Sequence, residues 1–346
     1  MLTGSSVTGA IVSFVCLIGL AWWRGRPLPH VLSPLVLMLA MGVRVIPIGL
    51  RAWHQAPDKR YAVSNIAIVT ESSANLPPEV VEEYGIHVLP LRIIWDGKVL
   101  RDGVDIMPQE FYARLRTDHC MPTSSALSPS ELLETFRSLA EEADAIVAIL
   151  LSQELSGTFE AAQIAHQLAP TLPLHLVDSR TAAMAQGFVV LEAARAAAAG
   201  ATVEQVIARA QEMIPRVQLL ATLETLEYLH RGGRIGTASA FLGSVLQMKP
   251  IVGIPPGHGT VVGVARPRTW RRAVARMLDL MAEQVGDRPV HVAVSHGDHE
   301  EDAAALAEEL QRRFDVRELY IIYFTPVMGA HAGPVLSISF YAEENI

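Results

Sequence analysis

The sequence predicts an α/β lobe built on a parallel sheet, followed by an α+β lobe with a mixed sheet. Three observations carry this. Residues 145–151 (AIVAILL) form an unbroken apolar run, the pattern of a strand buried on both faces. Strand-like and helix-like segments alternate through short loops from residue 65 to residue 213, as parallel βα units require. Beyond Pro215 the alternation gives way to paired strands around glycine turns.

The first sixty residues stand apart. Residues 7–23 read VTGAIVSFVCLIGLAWW and are followed by Arg24 and Arg26. The run is near the lower limit for a spanning helix, with Trp22 and Trp23 where an interface belt would sit. Residues 31–43 are a weaker second run, ended by Arg44 and broken by Pro34. A cleavable signal peptide fits poorly, because no basic residue precedes the first run and no small-residue cleavage site closely follows it. The segment reads as a membrane attachment, either a helical hairpin or one span with an in-plane segment. Arginines on both sides leave its orientation open. A start at Met38 or Met41 is the third reading, which would make the protein plainly cytoplasmic. The expected organisation is an apolar extension and linker over 1–60 (ending in QAPDKR), a parallel-sheet lobe over 63–215 and an α+β lobe over 216–346.

Residues 65–70 (NIAIVT) read as a strand by their β-branched content, and Pro78 opens a short helix that Gly85 stops. Residues 86–95 (IHVLPLRIIW) read as one strand with Pro90 at an edge or bulge, and Asp96-Gly97 turns it back into 98–101. Helices follow over 108–116 and 130–143, separated by the hydroxyl-rich loop PTSSALSP. The central apolar strand then passes through SQELSGTF into a helix. Residues 174–177 form another strand, 182–199 an alanine-rich buried helix, and 202–213 a helix with Thr202 as its cap. In the second lobe 218–223 is a strand, 226–236 (LEYLHRGGRIG) a helix end with a glycine pair, and 238–246 a helix. Residues 249–254 and 260–265 pair around Gly257-His258-Gly259. Strand, helix and strand follow over 290–295, 302–314 and 319–324, and 335–341 closes the chain.

Composition excludes several chemistries. The 346 residues carry a net charge of −8, and no basic run offers a nucleic-acid footprint. Two cysteines, Cys16 and Cys120, make no disulfide framework, so a reducing compartment is expected for the globular part. The 12 histidines are scattered without zinc spacing, and neither a GxxxxGK[ST] loop nor a kinase signature occurs. No metal, cofactor or nucleotide site is expected.

The polar residues gather after the strands: Glu71 and Ser72, then Ser152, Ser156, Gly157 and Thr158, then Asp178 and Ser179. In open parallel sheets ligands bind beyond the carboxyl ends of the strands. Hydroxyls and a glycine at a helix start also leave backbone N–H groups for a carboxylate or phosphate. Ordinary helix capping accounts for the same residues.

Eight stretches, in order, resemble the DegV family: IVTESSANLP, VLPLRIIWDGKVLRDGVDI, PTSSALSPSE, LSQELSGTFEAA, LVDS, LEYLHRGGRIG, KPI and GAHAGP. The resemblance runs from about residue 66 to residue 341. The best-known members of that family are fatty-acid-binding subunits of bacterial fatty acid kinases. The resemblance implies two α/β lobes with a long-chain fatty acid between them, the carboxylate held by hydroxyls and basic groups and the chain in an apolar tunnel. Carried over position by position, it puts a carboxylate-binding hydroxyl on Ser124, or on Thr123 if the match shifts by one. It puts the serine-glycine turn on Ser156 and Gly157 with Ser152 nearby, the arginine of the glycine pair on Arg234, and the histidine on His331. Three positions depart from the family pattern. Ser124 stands where threonine is usual, Glu71 where aspartate is usual, and Val335 where a glycine usually follows the proline. The apolar extension lies outside that pattern.

Two functions follow. The resemblance implies a non-catalytic lipid-binding subunit that presents the ligand carboxylate to a separate fatty acid kinase, with Arg231, Arg266, Arg268, Arg271 and Arg272 as a docking surface. The other reading is a serine hydrolase or acyltransferase using Ser156 or Ser152 as nucleophile, His331 as base and Asp178 as acid. Ser-Gly-Thr lacks the GxSxG elbow of such enzymes.

Overall fold

The computed structural model describes residues 65–344, apart from residue 119 and residues 245–247. The apolar runs over 7–23 and 31–43 lie outside the described residues. Among the described residues no helix is long and apolar enough to cross a membrane.

In chain order the first half contains β1 (Ile66–Glu71), α1 (Pro78–Tyr84), β2 (His87–Leu89), β3 (Arg92–Trp95), β4 (Lys98–Arg101), α2 (Pro108–Thr117), β5 (Thr123–Ser125) and α3 (Pro129–Leu139). It continues with β6 (Ala145–Leu150), α4 (Thr158–Leu168), β7 (Leu174–Asp178), α5 (Ala183–Ala198) and α6 (Val203–Met213). A parallel four-stranded sheet has the order β2-β1-β6-β7. Every residue of β6 is buried, as its unbroken apolar run requires of a central strand covered on both faces. Helix α5 is buried from Ala183 to Ala194 and fills the space behind that sheet.

The stretch read as one strand over 86–95 is two strands in two different sheets. β2 pairs parallel with β1, whereas β3 pairs antiparallel with β4 and β5 in a three-stranded sheet. Pro90 separates them, because a residue without an N–H cannot continue a ladder. The next N–H, on Leu91, donates instead to Ser72 Oγ. At the β3–β4 turn Asp96 and Gly97 have φ of 52° and 71°, the left-handed pair that a two-residue hairpin uses. Strand β5 was not foreseen in the hydroxyl-rich loop, since three polar residues give no periodic signal; its register places Ser124 opposite Ile93.

The second half contains β8 (Gln218–Leu223), α7 (Glu227–Arg231), a 3₁₀ run (Gly236–Ser244), β9 (Ile251–Ile254), β10 (Val262–Ala265) and α8 (Trp270–Val285). It ends with β11 (Val290–Gly297), α9 (Glu300–Arg313), β12 (Val316–Tyr323), α10 (Pro326–Ala332) and β13 (Val335–Ala342). The six-stranded sheet has the order β10-β9-β8-β13-β11-β12, antiparallel except for the β11–β12 pair, and is therefore mixed. Residues 236–244 wind as a 3₁₀ run where an α-helix was expected. Gly236 starts it at φ +51° against the Val261 carbonyl, which accepts the Thr237 N–H, so the turn is set by an outside partner.

The parallel and mixed sheets share one apolar core. Val69, Ile149 and Leu150 from the first pack in the same cluster as Leu219, Val252 and Val335 from the second. A separate cluster lies between the mixed sheet and helices α8 and α9. Buried polar groups fasten the halves as well: Glu192 on α5 accepts from Arg195, Arg209 and the Tyr341 hydroxyl, and Arg195 also pairs with Glu318 on β12. The cap expected at residue 202 is present, with Thr202 Oγ1 accepting from Gln205 N and the Gln205 side chain reaching back. Thr202→Ala is expected to cost about 1 kcal/mol of stability in chemical denaturation, without changing the ligand site.

Candidate functional site

A cavity of about 130 Å³ lies where all three sheets meet. By the measure in which one water needs about 10–15 Å³, it is far larger than a single-water void. Its apolar wall follows from strand periodicity. Leu219, Ala221 and Leu223 alternate along β8 and so face the same way, as do Val252 and Ile254 on β9. Leu91, Leu151, Leu155, Leu229, Phe324 and Met328 are among its other apolar residues.

Besides Ser73 after β1, polar groups enter this lining from four places. Ser124 and Ser125 come from β5, and Ser156 and Gly157 from the turn between β6 and α4. Arg234 follows α7, and His331 sits on α10. Ser124 Oγ and His331 Nε2 are 2.6 Å apart. The His331 ring is held at below the usual imidazole range, at about 4, first by burial and then by the neighbouring Arg234 charge. It is therefore neutral at physiological pH. Its Nδ1 is buried without a hydrogen-bond partner and faces Gly232, where a Cβ would lie 2.3 Å away. Arg234 is aimed by two carbonyls, donating from Nε to Leu155 O at 3.0 Å and from Nη1 to Gly232 O at 2.5 Å. Ser156 Oγ accepts the Thr158 N–H at 3.2 Å and lies 3.0 Å from Thr158 Oγ1. Gly157, which lines the cavity, is the N-cap of α4 and has no side chain to cap that helix.

Ser152 and Thr123 are placed differently. Ser152 is fully buried outside the lining and donates to Gly259 O at 2.8 Å, tying the β6–α4 turn to the β9–β10 loop. Thr123 is exposed and is not part of the lining, where Ser125 stands instead. Asp178 accepts the Arg180 N–H at 2.9 Å and makes no bond to His331. The expected catalytic arrangement of serine, histidine and acid is thus not assembled around either Ser152 or Ser156.

One further residue belongs to the lining, Ser73, and two buried carboxyls, Glu71 and Asp102, stand outside it. Ser73 lines the cavity, and its hydroxyl lies 3.0 Å from Glu71 Oε1. Glu71 is fully buried and burial pushes its carboxyl up to about 7. The sequence showed both in the polar turn after β1, but their hydrogen-bonding needed the fold. Asp102, buried beside Ser72 and the Thr325–Val327 start of α10, is pushed up to about 6. Its signal, an acid in the hairpin sequence LRDGVD, does not distinguish a buried carboxyl from a turn residue. Among the described residues no His, Cys, Asp and Glu cluster could hold a metal ion.

A family model described as "Uncharacterised protein, DegV family" matches residues 65–343. Protein DegV of Bacillus subtilis is 34% identical over 271 residues, covering 78% of this chain and 96% of the relative. A DegV domain-containing protein of Streptomyces coelicolor is 37% identical over 274 residues, covering 79% and 96%. Among solved structures, a DegV family protein from Thermus thermophilus described for its fatty-acid binding superposes with a TM-score of 0.76 at 30% identity, covering 81% of this chain and all of that one. DegV of Bacillus subtilis, described as a fatty acid binding protein, gives 0.74 at 33% identity, with 81% and 100% covered. Family match, identity and fold agree over the same residues: the chain belongs to the DegV family.

Proposed function

We propose that the cavity binds a long-chain fatty acid, with Ser124, Ser156, the Gly157 turn, Arg234 and His331 around the carboxylate and the acyl chain against β8 and β9. The observation that carries this reading is the lining itself, a cluster of hydroxyls, an arginine and a histidine in a cavity whose other walls are aliphatic. Burying the chain is favourable by about 0.8 kcal/mol per CH₂. Charge-assisted bonds from Arg234 and the hydroxyls offset the desolvation of the carboxylate. The fatty-acid binding of the Thermus thermophilus and Bacillus subtilis proteins supports the assignment.

The bound carboxylate is presented to a separate kinase subunit, docked on the exposed arginines Arg268, Arg271 and Arg272. Arg268→Glu with Arg272→Glu is expected to leave lipid binding intact and to reduce phosphorylation by a cognate kinase; unchanged phosphorylation would make these arginines a solvated face. Residues 7–23 attach the chain to the membrane with the lobes on the cytoplasmic side. Full-length protein in the soluble fraction, or a native start at Met38 or Met41, would overturn that.

The short Ser124–His331 contact favours one second reading, a serine nucleophile with a histidine base. Against it, His331 Nδ1 has no carboxylate behind it, and a ring titrating at about 4 is a weak base. The test of the binding site is Ser124→Ala and Ser156→Ala, each expected to weaken fatty-acid affinity by about 1.5–3 kcal/mol in a fluorescent displacement assay. Unchanged affinity in both would remove the assignment.

A further inference from the structure

We propose that Glu71 takes up a proton when a carboxylate ligand fills the cavity, and that this frees the Ser73 hydroxyl to donate to the ligand. The geometry is a relay of two side chains. Glu71 Oε1 accepts the Leu151 N–H at 2.6 Å, lies 3.2 Å from Gln186 Nε2 and 3.0 Å from Ser73 Oγ. Its other oxygen, Oε2, is buried with no partner. Ser73 is fully buried and lines the cavity, so its hydroxyl joins the Glu71 carboxyl to the ligand space; Leu151, the other lining residue bonded to Glu71, offers only its backbone N–H. A serine hydroxyl has a single hydrogen. Facing an ionised Glu71, that hydrogen is held by the carboxylate, and the cavity meets an oxygen lone pair backed by a buried negative charge. Facing a neutral Glu71, the hydrogen is released from the carboxyl, an acceptor in the cavity then competes for it only with the neutral Gln186 Oε1 at 3.1 Å, and the charge opposing an anionic ligand is gone.

The surroundings do not supply a cation to keep Glu71 ionised. Packed against it are the neutral Gln186 of α5, Thr70 of β1, the Leu151 backbone and Ser73. The titratable groups Asp102, beside Ser72, and His331 and Arg234, in the cavity lining, are not hydrogen-bond or ion-pair partners of Glu71 among the described residues. Burial dominates its titration and puts its midpoint close to neutral pH, where a ligand's charge can shift it. The proton comes from solvent and forms one O–H bond on the carboxyl; no other covalent bond changes. His331, which titrates well below Glu71, does not contribute in the neutral range. The same serine that donates to the ligand thus reports the charge state of the acid behind it, and Glu71 acts as a positioning residue.

This rests on the reading that the cavity holds a fatty-acid carboxylate. The test is isothermal titration of sodium laurate into the full chain between about pH 6 and pH 8, in phosphate and in Tris, whose ionisation enthalpies differ. Wild-type protein is expected to take up more than half a proton per laurate near pH 7.5, with affinity falling by up to about tenfold per pH unit above neutrality. Glu71→Gln is expected to bind laurate with no uptake and a flat pH profile, and Ser73→Ala to bind several-fold more weakly. Laurate binding to wild-type protein with equal heats in both buffers would overturn this inference and leave the fatty-acid site standing. Persistent uptake in Glu71→Gln would also overturn it. No laurate binding at all would remove the underlying reading instead.

Discussion

Gly232→Ala is expected to lower fatty-acid affinity by about 1.5–3 kcal/mol through a lost charge-assisted bond, and to cost about 1–3 kcal/mol of stability by overpacking while the fold survives. Gly232 has φ −73° and ψ −9°, ordinary helical angles that alanine adopts without strain. The cost arises only from the new methyl. It would sit 2.3 Å from His331 Nδ1, with Tyr228 O 3.1 Å away on the other side. The backbone carbonyl cannot yield, so the imidazole must, and its 2.6 Å contact with Ser124 goes with it. Fluorescent fatty-acid titration and thermal melting separate the two effects. In the double variant Gly232→Ala, His331→Ala the methyl has no ring to displace, so its affinity should match His331→Ala alone rather than fall further. Full affinity in Gly232→Ala would mean that His331 does not touch the ligand.

Glu71→Gln is expected to be more stable than wild-type protein at pH 8 by about 3 kcal/mol more than at pH 4.5. The folded-state value of about 7 lies above the ordinary 4.5 of a glutamate. Between those values the folded chain holds a proton that the unfolded chain releases. The stabilisation is therefore fully present below pH 4.5 and is lost as pH rises through 7. The buried glutamine keeps an acceptor for Leu151 N–H and does not titrate. Asp102, raised to about 6, and His331, lowered to about 4, titrate in both proteins and cancel in the difference. Denaturation midpoints across this pH range measure the gap. A difference that does not change with pH would show that Glu71 ionises freely in the folded protein.

Much of the fold was written in local patterns. The run over 145–150 reads as a strand covered on both faces and alanine-rich α5 as a buried helix, and both are found so. The hairpin at Asp96-Gly97 and the cap at Thr202 follow from backbone chemistry that neighbours do not alter. What sequence reasoning missed depended on distant partners. Pro90 looked like a bulge because nothing local says that the two sides of it pair with different strands. Helix α10 was hidden in PVMGAHAGP, where glycines and prolines suggest a closing loop, although Pro326 at its first position fits a helix start.

The candidate site divides in the same way. Ser124, Ser156, Gly157, Arg234 and His331 were named through the resemblance of short motifs, and they line one cavity. Ser152 belongs to the same turn as Ser156, but its hydroxyl is taken by Gly259, more than a hundred positions away. The serine next to a motif residue can thus be a structural tie, and only the three-dimensional partner distinguishes them. Glu71 and Ser73 lay in plain view, yet their coupling exists only because β6 and α5 bring Leu151 and Gln186 against the same carboxyl.

The central claim is that this cavity holds a fatty acid noncovalently. Native mass spectrometry of the purified chain, before and after delipidation, tests it most directly. The expected spectrum shows one fatty-acid mass per chain that is removed by delipidation and restored by added fatty acid, with no mass left on any serine after denaturation. A chain that neither carries nor takes up a fatty acid, or one that retains an acyl mass on Ser124 or Ser156 under denaturing conditions, would contradict it.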